Sequence, residues 1–182
     1  MKMETSDEIL VDRAQAGDGD AFGQLLERHY DMILRLGYRM LGTQSLAEEL
    51  AQDLCCALPT KLGSFRGDAK FTTWLYRVTM NAAKDYLRKQ RSHENAQKGW
   101  GDMFELQQHD ASEKANDRAW LAQAMTVLPP DIRETLVLIL TEDMKQAEAA
   151  EVLGVPEGTI SWRISEAKKH LRALAHSEEA YP

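Results

Sequence analysis

Arg77, Asn81, Lys84 and Arg88 are spaced four, three and four residues apart, which lines them along one face of a helix. Around them stand Phe65, Arg66, Phe71, Trp74, Tyr76 and Tyr86. Binding a polyanion needs only the cations. Rings and an amide interleaved with cations fit unstacked bases, which stack on aromatic faces and offer their edges to hydrogen bonds. The rings also have a plainer reading, because Phe71, Trp74 and Tyr86 recur at helical spacing and serve as core. On either reading the Arg77–Arg88 face remains the contact surface.

A second constellation runs from Gln146 to Leu171, with the spacing of a helix-turn-helix. Ala150 is small where two helices must cross closely. Gly154 follows four residues later, where the turn favours a left-handed backbone. Val155, Ile160 and Ile164 then plug the second helix onto the first. This leaves Thr159, Ser161, Trp162, Arg163, Ser165 and Glu166 on or beside the outward face, with Lys168 and Lys169 further along. Such a helix fits the major groove of duplex DNA, its first turns reaching base edges and its later cations reaching phosphates. Glu166 works against phosphate contact and can only accept from a cytosine amino group. The plain alternative is a helical hairpin with Gly154 as C-cap and Trp162 buried.

Other chemistry lacks a residue set to rest on. There is no nucleophile elbow, phosphate-cradling glycine loop or metal-ligand constellation, so no enzyme activity, metal or cofactor is expected. The five histidines, His29, His93, His109, His170 and His176, are scattered. Cys55 and Cys56, the only cysteines, are adjacent and make neither a disulfide framework nor a zinc site. No apolar run approaches the roughly 20 residues that span a bilayer, and the acidic start Met1–Asp12 has no secretory apolar core. A cytoplasmic protein without membrane insertion is expected.

The net charge of −7 hides an uneven distribution. Residues 1–60 carry five Lys/Arg against eleven Asp/Glu, whereas residues 66–91 carry seven against two. Residues 92–154 are acidic again, and residues 155–173 carry four cations against two carboxylates. Two basic islands in an acidic chain are what two polyanion contacts would leave. Charge runs of this length are also common on solvated helix faces, so the motifs must decide between the two.

With 182 residues, 43% of them hydrophobic, the chain has material for one or two small domains. Helical periodicity dominates and no convincing alternating strand is present. A short helix is expected near 6–16, ended by Gly17. A long one carries Phe22 to Leu41 and ends at Gly42. A third is opened by a Ser45–Glu48 capping box and carries Leu46, Leu50, Leu54 and Leu58, with Pro59 near its end. A further long helix starts near Phe71 and turns Trp74, Leu75, Val78, Ala82, Tyr86 and Leu87 inward. Residues 92–112 are polar and read as a linker, interrupted by Trp100, Met103, Phe104 and Leu106. Helices resume near Ser112 with Trp120, Leu121, Ala124 and Leu128, and Pro129 and Pro130 start a new one. The fold class expected is all-α: two small helical domains, 1–91 and 113–182, joined by a flexible linker.

At this point a resemblance becomes specific. The run Ser64-Phe-Arg-Gly-Asp-Ala-Lys-Phe-Thr-Thr-Trp-Leu-Tyr-Arg-Val-Thr-Met-Asn-Ala-Ala-Lys-Asp-Tyr-Leu-Arg-Lys89 resembles region 2 of the extracytoplasmic-function (ECF) sigma factors of the sigma-70 family. Ala47-Glu-Glu-Leu-Ala-Gln-Asp-Leu54 is similar to that family's polymerase-binding helix. Leu128-Pro-Pro-Asp-Ile-Arg-Glu-Thr-Leu136 and Glu148-Ala-Ala-Glu-Val-Leu-Gly-Val-Pro-Glu-Gly-Thr-Ile-Ser-Trp-Arg-Ile164 resemble region 4. The likeness covers about residues 20–91 and 115–173, in the family's order.

The resemblance implies a specificity subunit for transcription initiation. Glu48, Glu49, Gln52 and Asp53 match the helix that docks on the β′ clamp helices of core RNA polymerase, and region 4 would meet the β flap. Phe65, Arg66 and Phe71 match the loop and helix start that hold a flipped −10 base of promoter DNA, with Asn81 on the helix behind and Trp74 beside it. Arg77, Lys84 and Arg88 match strand-backbone contacts. Thr159, Ser161, Trp162, Arg163, Ser165, Lys168 and Lys169 would face the −35 duplex. Family members commonly carry basic residues at the positions of Ser161 and Glu166 and a small one at Trp162, so the −35 contact set is atypical. An anti-sigma factor is the implied regulatory partner. Two other classes compete: a dimeric helical repressor or activator reading duplex DNA alone, which leaves the aromatic-basic helix unexplained, and an adaptor whose helices bind only proteins.

Overall fold

The computed structural model describes residues 5–97, 124, 125 and 127–179. Those residues form seven helices and no strand: α1 Asp7–Gln15, α2 Gly19–Leu41, α3 Gln44–Leu62, α4 Phe71–Gln97, α5 Pro130–Leu140, α6 Gln146–Leu153 and α7 Glu157–Glu179. Most of the segment read as a linker, with Trp100, Met103, Phe104 and Leu106, lies outside the described residues, as do Trp120 and Leu121.

The helix boundaries follow local chemistry. Asp18 caps α2 by accepting from the amides of Asp20 and Ala21, which satisfies two donors that the first turn leaves unpaired. Those amides, chiefly that of Ala21, and the Arg13 guanidinium hold the Asp18 carboxyl below the usual carboxylate range. Gly42 ends α2 with φ +85°, a left-handed conformation that glycine adopts freely. The next helix starts earlier than the Ser45–Glu48 pattern predicts. Thr43 is the N-cap, its hydroxyl accepting from the Leu46 amide, and Gln44 donates to the Glu48 carboxylate in the first turn.

Helices α1 to α4 enclose one core. Leu10, Ile33, Leu36, Met40, Leu50, Leu75 and Met80 are fully buried there, each side chain contributing about 1.5–3 kcal/mol by leaving water. Gly37 lets α2 and α3 cross closely: a Cβ at this position would lie 3.1 Å from Leu50 Cδ2 and 3.3 Å from Ala47 Cα. On α4 the buried stripe is Phe71, Leu75, Thr79 and Ala83, at steps of four, with Met80 beside it. Trp74, Val78, Ala82, Tyr86 and Leu87 are half-buried on its flanks. The helix also runs on to Gln97, past the expected domain boundary at 91.

The second half builds its core on α5. Pro130 stands at its start, where a missing N–H costs nothing. Leu136, Val137 and Leu138 are buried together with Ala149, Val152, Ile160 and Ala167 from α6 and α7. Helices α6 and α7 form the helix-turn-helix, with Gly154 at φ +65° in the turn. Ala150 is buried at the crossing, and Val155 and Ile164 pack against the same core.

The two halves are in direct contact. Arg133, only 2% exposed, reaches out of α5 and donates to Met40 O near the C-terminal end of α2 and to Leu128 O. One of the carbonyls that the last turn of α2 leaves open is thereby satisfied by a cation.

Candidate nucleic-acid interface

The aromatic residues before and within α4 form one cluster. Phe65, Phe71 and Trp74 have ring centroids 5.4–6.0 Å apart in edge-on and tilted arrangements, and His29 meets Phe71 edge-on at 5.4 Å. Phe71 is buried, whereas Phe65 and Trp74 keep part of their surface open. Arg66 and Lys70 are exposed on either side of Gly67, whose φ of +76° makes the sharp bend of this loop. Gln15 of α1 anchors the loop by donating to the carbonyls of Leu62 and Phe65. A ring, two cations and a fixed bend therefore converge at the N-terminal end of α4.

Along α4 the structure brings Arg77, Asn81, Lys84 and Arg88 to one face but treats them differently. Asn81 is exposed, and Arg88 is open to solvent beside Asp85 at 3.1 Å. Arg77 donates from Nε to Val152 O at 3.0 Å and from a terminal nitrogen to Glu151 O at 2.7 Å, both at the C-terminal end of α6. Lys84 Nζ lies 2.9 Å from Glu134 Oε2 on α5. Two of the four candidate strand contacts thus hold groups of the second half of the chain.

Glu48, Glu49, Gln52 and Asp53 are all exposed on α3. They form an acidic strip joined to α4 through a hydrogen bond from Tyr86 to Asp53. Cys56 is exposed one turn further along, and Cys55 is half-buried, its thiol pushed up by that burial.

The recognition helix α7 presents Ser161, Trp162, Ser165, Lys168 and Lys169 to solvent. Trp162 is 56% exposed, so this ring is no part of the core. Ser161 donates to Gln146 Oε1 on α6 at 2.6 Å, and Lys169 pairs with Glu166 at 2.6 Å. Thr159 is half-buried. Arg163 is turned inward, contrary to the expectation that placed it on or beside the outward face. It lies 3.1 Å from Glu134 Oε1 and 3.3 Å from the Thr135 hydroxyl, with Asp131 at 3.7 Å. A carboxylate only 3% exposed needs a cation close by, and Arg163 supplies it.

The pairings of Glu134, Glu142, Arg35 and Arg133 escape the sequence reading. Arg133 and Glu134 did leave a signal, two charges inside the apolar helix Pro130–Leu140, since buried charges are rare unless paired. Arg35 and Glu142 left none. They meet from 107 residues apart, Arg35 gripping both carboxylate oxygens at 2.8 Å, while Tyr76 donates to the same group at 2.7 Å. Burial opposes ionisation of Glu142, yet the hydrogen bonds from Arg35 and Tyr76 outweigh it and hold the carboxyl below its usual range.

Among the described residues no helix is long and apolar enough to cross a membrane. Residues 25–93 match the family description Sigma-70 region 2, and residues 118–171 match Sigma-70, region 4. The chain is 34% identical over 181 residues to the RNA polymerase sigma-H factor of Pseudomonas aeruginosa, covering 93% of each. It is 32% identical over 171 residues to the ECF RNA polymerase sigma factor SigM of Mycobacterium tuberculosis, covering 94% of this chain and 85% of the relative. Among solved structures, CnrH in complex with the cytosolic domain of CnrY aligns with a TM-score of 0.67 at 28% identity, over 94% of this chain and 97% of the other. The sigma factor RpoE of Bartonella quintana, in complex with the anti-sigma factor NepR, has the same fold, with a TM-score of 0.68 at 24% identity over 85% and 96%. Proteins of this kind are transcription initiation factors rather than enzymes. The chain belongs to the extracytoplasmic-function sigma factors of the sigma-70 family.

Proposed function

We propose that this sigma factor selects promoters by holding two forms of DNA at once: a melted −10 strand on α4 and an intact −35 duplex on α7. The observation that carries this reading is the pairing, in one chain, of a ring-and-cation cluster at the head of α4 with an exposed recognition helix. Phe65, Arg66, Phe71, Trp74 and Asn81 form the base-reading side. Extruding a base costs a few kcal/mol, and stacking worth about 1–3 kcal/mol per base offsets that cost where the sequence fits. Arg77, Lys84 and Arg88 hold the backbone of the strand. Ser161, Trp162, Ser165, Lys168 and Lys169 face the duplex, with Thr159 at the entry to the groove and Arg163 reaching DNA only after it leaves Glu134.

Glu48, Glu49, Gln52 and Asp53 dock on the β′ clamp helices of core polymerase in the cytoplasm, and region 4 lies against the β flap. An acidic strip suits a basic partner and keeps the free chain from binding DNA indiscriminately. Domain limits near 1–91 and 113–182 accompany this division of labour, with α4 carrying the first unit on to Gln97. The complexes of CnrH with CnrY and of RpoE with NepR support control by an anti-sigma factor. Purified protein mixed with core polymerase and a promoter library should give run-off transcripts from a discrete subset of promoters. Core enzyme that gives the same transcripts without the chain would refute the reading.

A further inference from the structure

The chain between α3 and α4 carries Phe65 and is irregular. Its first amides, those of Ser64 and Phe65, donate back to Lys61 O at 2.9 Å and Leu62 O at 3.0 Å. Gly67 then bends it with φ +76°. A further tie comes from far off in sequence. Gln15, the last residue of α1, donates from Nε2 to Leu62 O and to Phe65 O, each at 2.9 Å. A primary amide has two N–H donors, and here both go to carbonyls three residues apart, across the turn on which Phe65 is mounted. The Phe65 ring meets Phe71 at 6.0 Å and Trp74 at 5.4 Å.

The other end of α1 reaches a second ring of the same cluster. Asp7, its first residue, places Oδ2 2.8 Å from Nε2 of His29. A carboxylate can only accept, so this ring nitrogen carries the proton. Arg28 holds the other oxygen of Asp7 and also donates to Thr5 O at 3.0 Å. The bond from Asp7 fixes the rotation of the imidazole, which meets Phe71 edge-on at 5.4 Å. Phe71, 4% exposed, is in turn the floor against which the more open Phe65 and Trp74 rest.

We propose that α1 is a positioning element for −10 recognition: Gln15 sets the turn that carries Phe65, and Asp7 sets Phe71 through His29. This rests on the reading of the Phe65–Phe71–Trp74 cluster as the base-reading site. A captured base gains full stacking only against rings already in place, because a ring that must first be ordered gives back part of that gain as lost conformational freedom. Gln15 and His29 are positioning residues. Their contacts are two carbonyls, a carboxylate and a ring, and their effect on DNA passes through Phe65 and Phe71.

The test uses holoenzyme formed from the full chain and core polymerase. The probe is the single non-template −10 strand of a promoter selected by run-off transcription. Removing each base of the probe in turn, to leave an abasic sugar, locates the captured position as the one where wild-type affinity falls most. Gln15→Met, similar in length but without a donor, should weaken binding of the intact strand about fivefold. Binding of the strand abasic at the captured position should weaken by less than about twofold, because the interaction lost is the one that the base makes. Gln15→Lys, whose ammonium can donate to both carbonyls, should return the affinity toward wild type. His29→Leu should repeat the Gln15→Met pattern at about threefold, the scale of one aromatic contact. The proposal is overturned if Gln15→Met weakens both strands equally, which would mean an effect on general stability, or if Gln15→Lys binds no tighter than Gln15→Met. Equal weakening of both strands by His29→Leu would remove Asp7 and His29 from the brace. A wild-type holoenzyme that binds every abasic strand as tightly as the intact one sinks the base-reading site itself. A wild-type loss at one position, with Gln15→Met binding like wild type throughout, sinks the brace alone.

Discussion

The phenolic oxygen of Tyr86 donates a 2.7 Å hydrogen bond to Oδ2 of Asp53, joining the basic helix α4 to the acidic strip of α3. Burial and the neighbouring Asp53 carboxylate push the Tyr86 hydroxyl up, which keeps it a donor at neutral pH. The proposed strand-holding helix and the proposed docking helix are thus tied side chain to side chain within one rigid bundle. Asp53→Arg should weaken association with core polymerase about tenfold or more, as expected when a charge at an interface is reversed. Tyr86→Phe, which only releases the carboxylate, should stay within about twofold. Competition against a second sigma factor for limiting core enzyme measures both. Equal losses in the two variants would mean that Asp53 acts through the fold rather than by docking.

Asn81 is exposed between two cations that are engaged elsewhere. Asn81→Ala should lower transcription from a cognate promoter by about tenfold, the scale of one lost contact to an extruded base. Association with core polymerase should stay unchanged, measured by co-elution. Loss of both together would mean that this face of α4 belongs to the polymerase interface.

Lys168 is solvent-exposed on α7, whereas Lys169 is paired with Glu166. Lys168→Ala should reduce the slope of log affinity against log salt for −35 duplex binding by about one. Fluorescence anisotropy with holoenzyme across a salt series reads the slope. An unchanged slope would remove Lys168 from the phosphate contacts.

The Arg35–Glu142–Tyr76 cluster has a pH signature. The folded-state pKa of Glu142 is lowered by Arg35 and Tyr76 against the opposing effect of burial. Its stabilisation is therefore fully present above the ordinary carboxylate range and is lost as pH falls through the depressed value. Lys70, Asp143, Glu148 and Glu151 line the same groove. Scattering should show a compact chain at neutral pH and expansion on acidification into that range, with a smaller pH response in Glu142→Gln. A wild-type radius that does not respond to pH would mean that these bonds do not hold the two halves together.

The helices were legible because their signals are local. Gly42, Gly154 and Pro130 mark boundaries through backbone chemistry, and the leucines of α3 recur at fixed steps. Thr43 was missed because Ser45–Glu48 makes an equally good cap pattern two residues later, and only the hydroxyl-to-amide geometry chooses between them. The candidate site was legible as a set of cations on one helix face. Their partners were not: no periodicity announces that Glu142 meets Arg35, or that Glu134 turns Arg163 away from the groove side. Contacts between distant segments depend on how the domains pack, which sequence spacing does not encode.

Packing at the α2–α3 crossing gives a stability prediction independent of function. Gly37→Leu forces a side chain onto Leu50 and the Ala47 backbone and should cost about 1–3 kcal/mol, read as a lower midpoint in urea. Leu36→Ala should cost about 2–5 kcal/mol by opening a cavity in the same core. A Gly37→Leu variant as stable as wild type would mean that the helices can separate at no cost.

The central claim is that α4 holds a single strand within the promoter complex. The direct measurement places a photocrosslinker at position 81 and maps its products in the open complex of holoenzyme on a cognate promoter. Crosslinks to the non-template −10 strand that require both core polymerase and melted DNA are the predicted result. Crosslinks that stay within the chain, to α6 or α5, when transcription is under way would contradict the account.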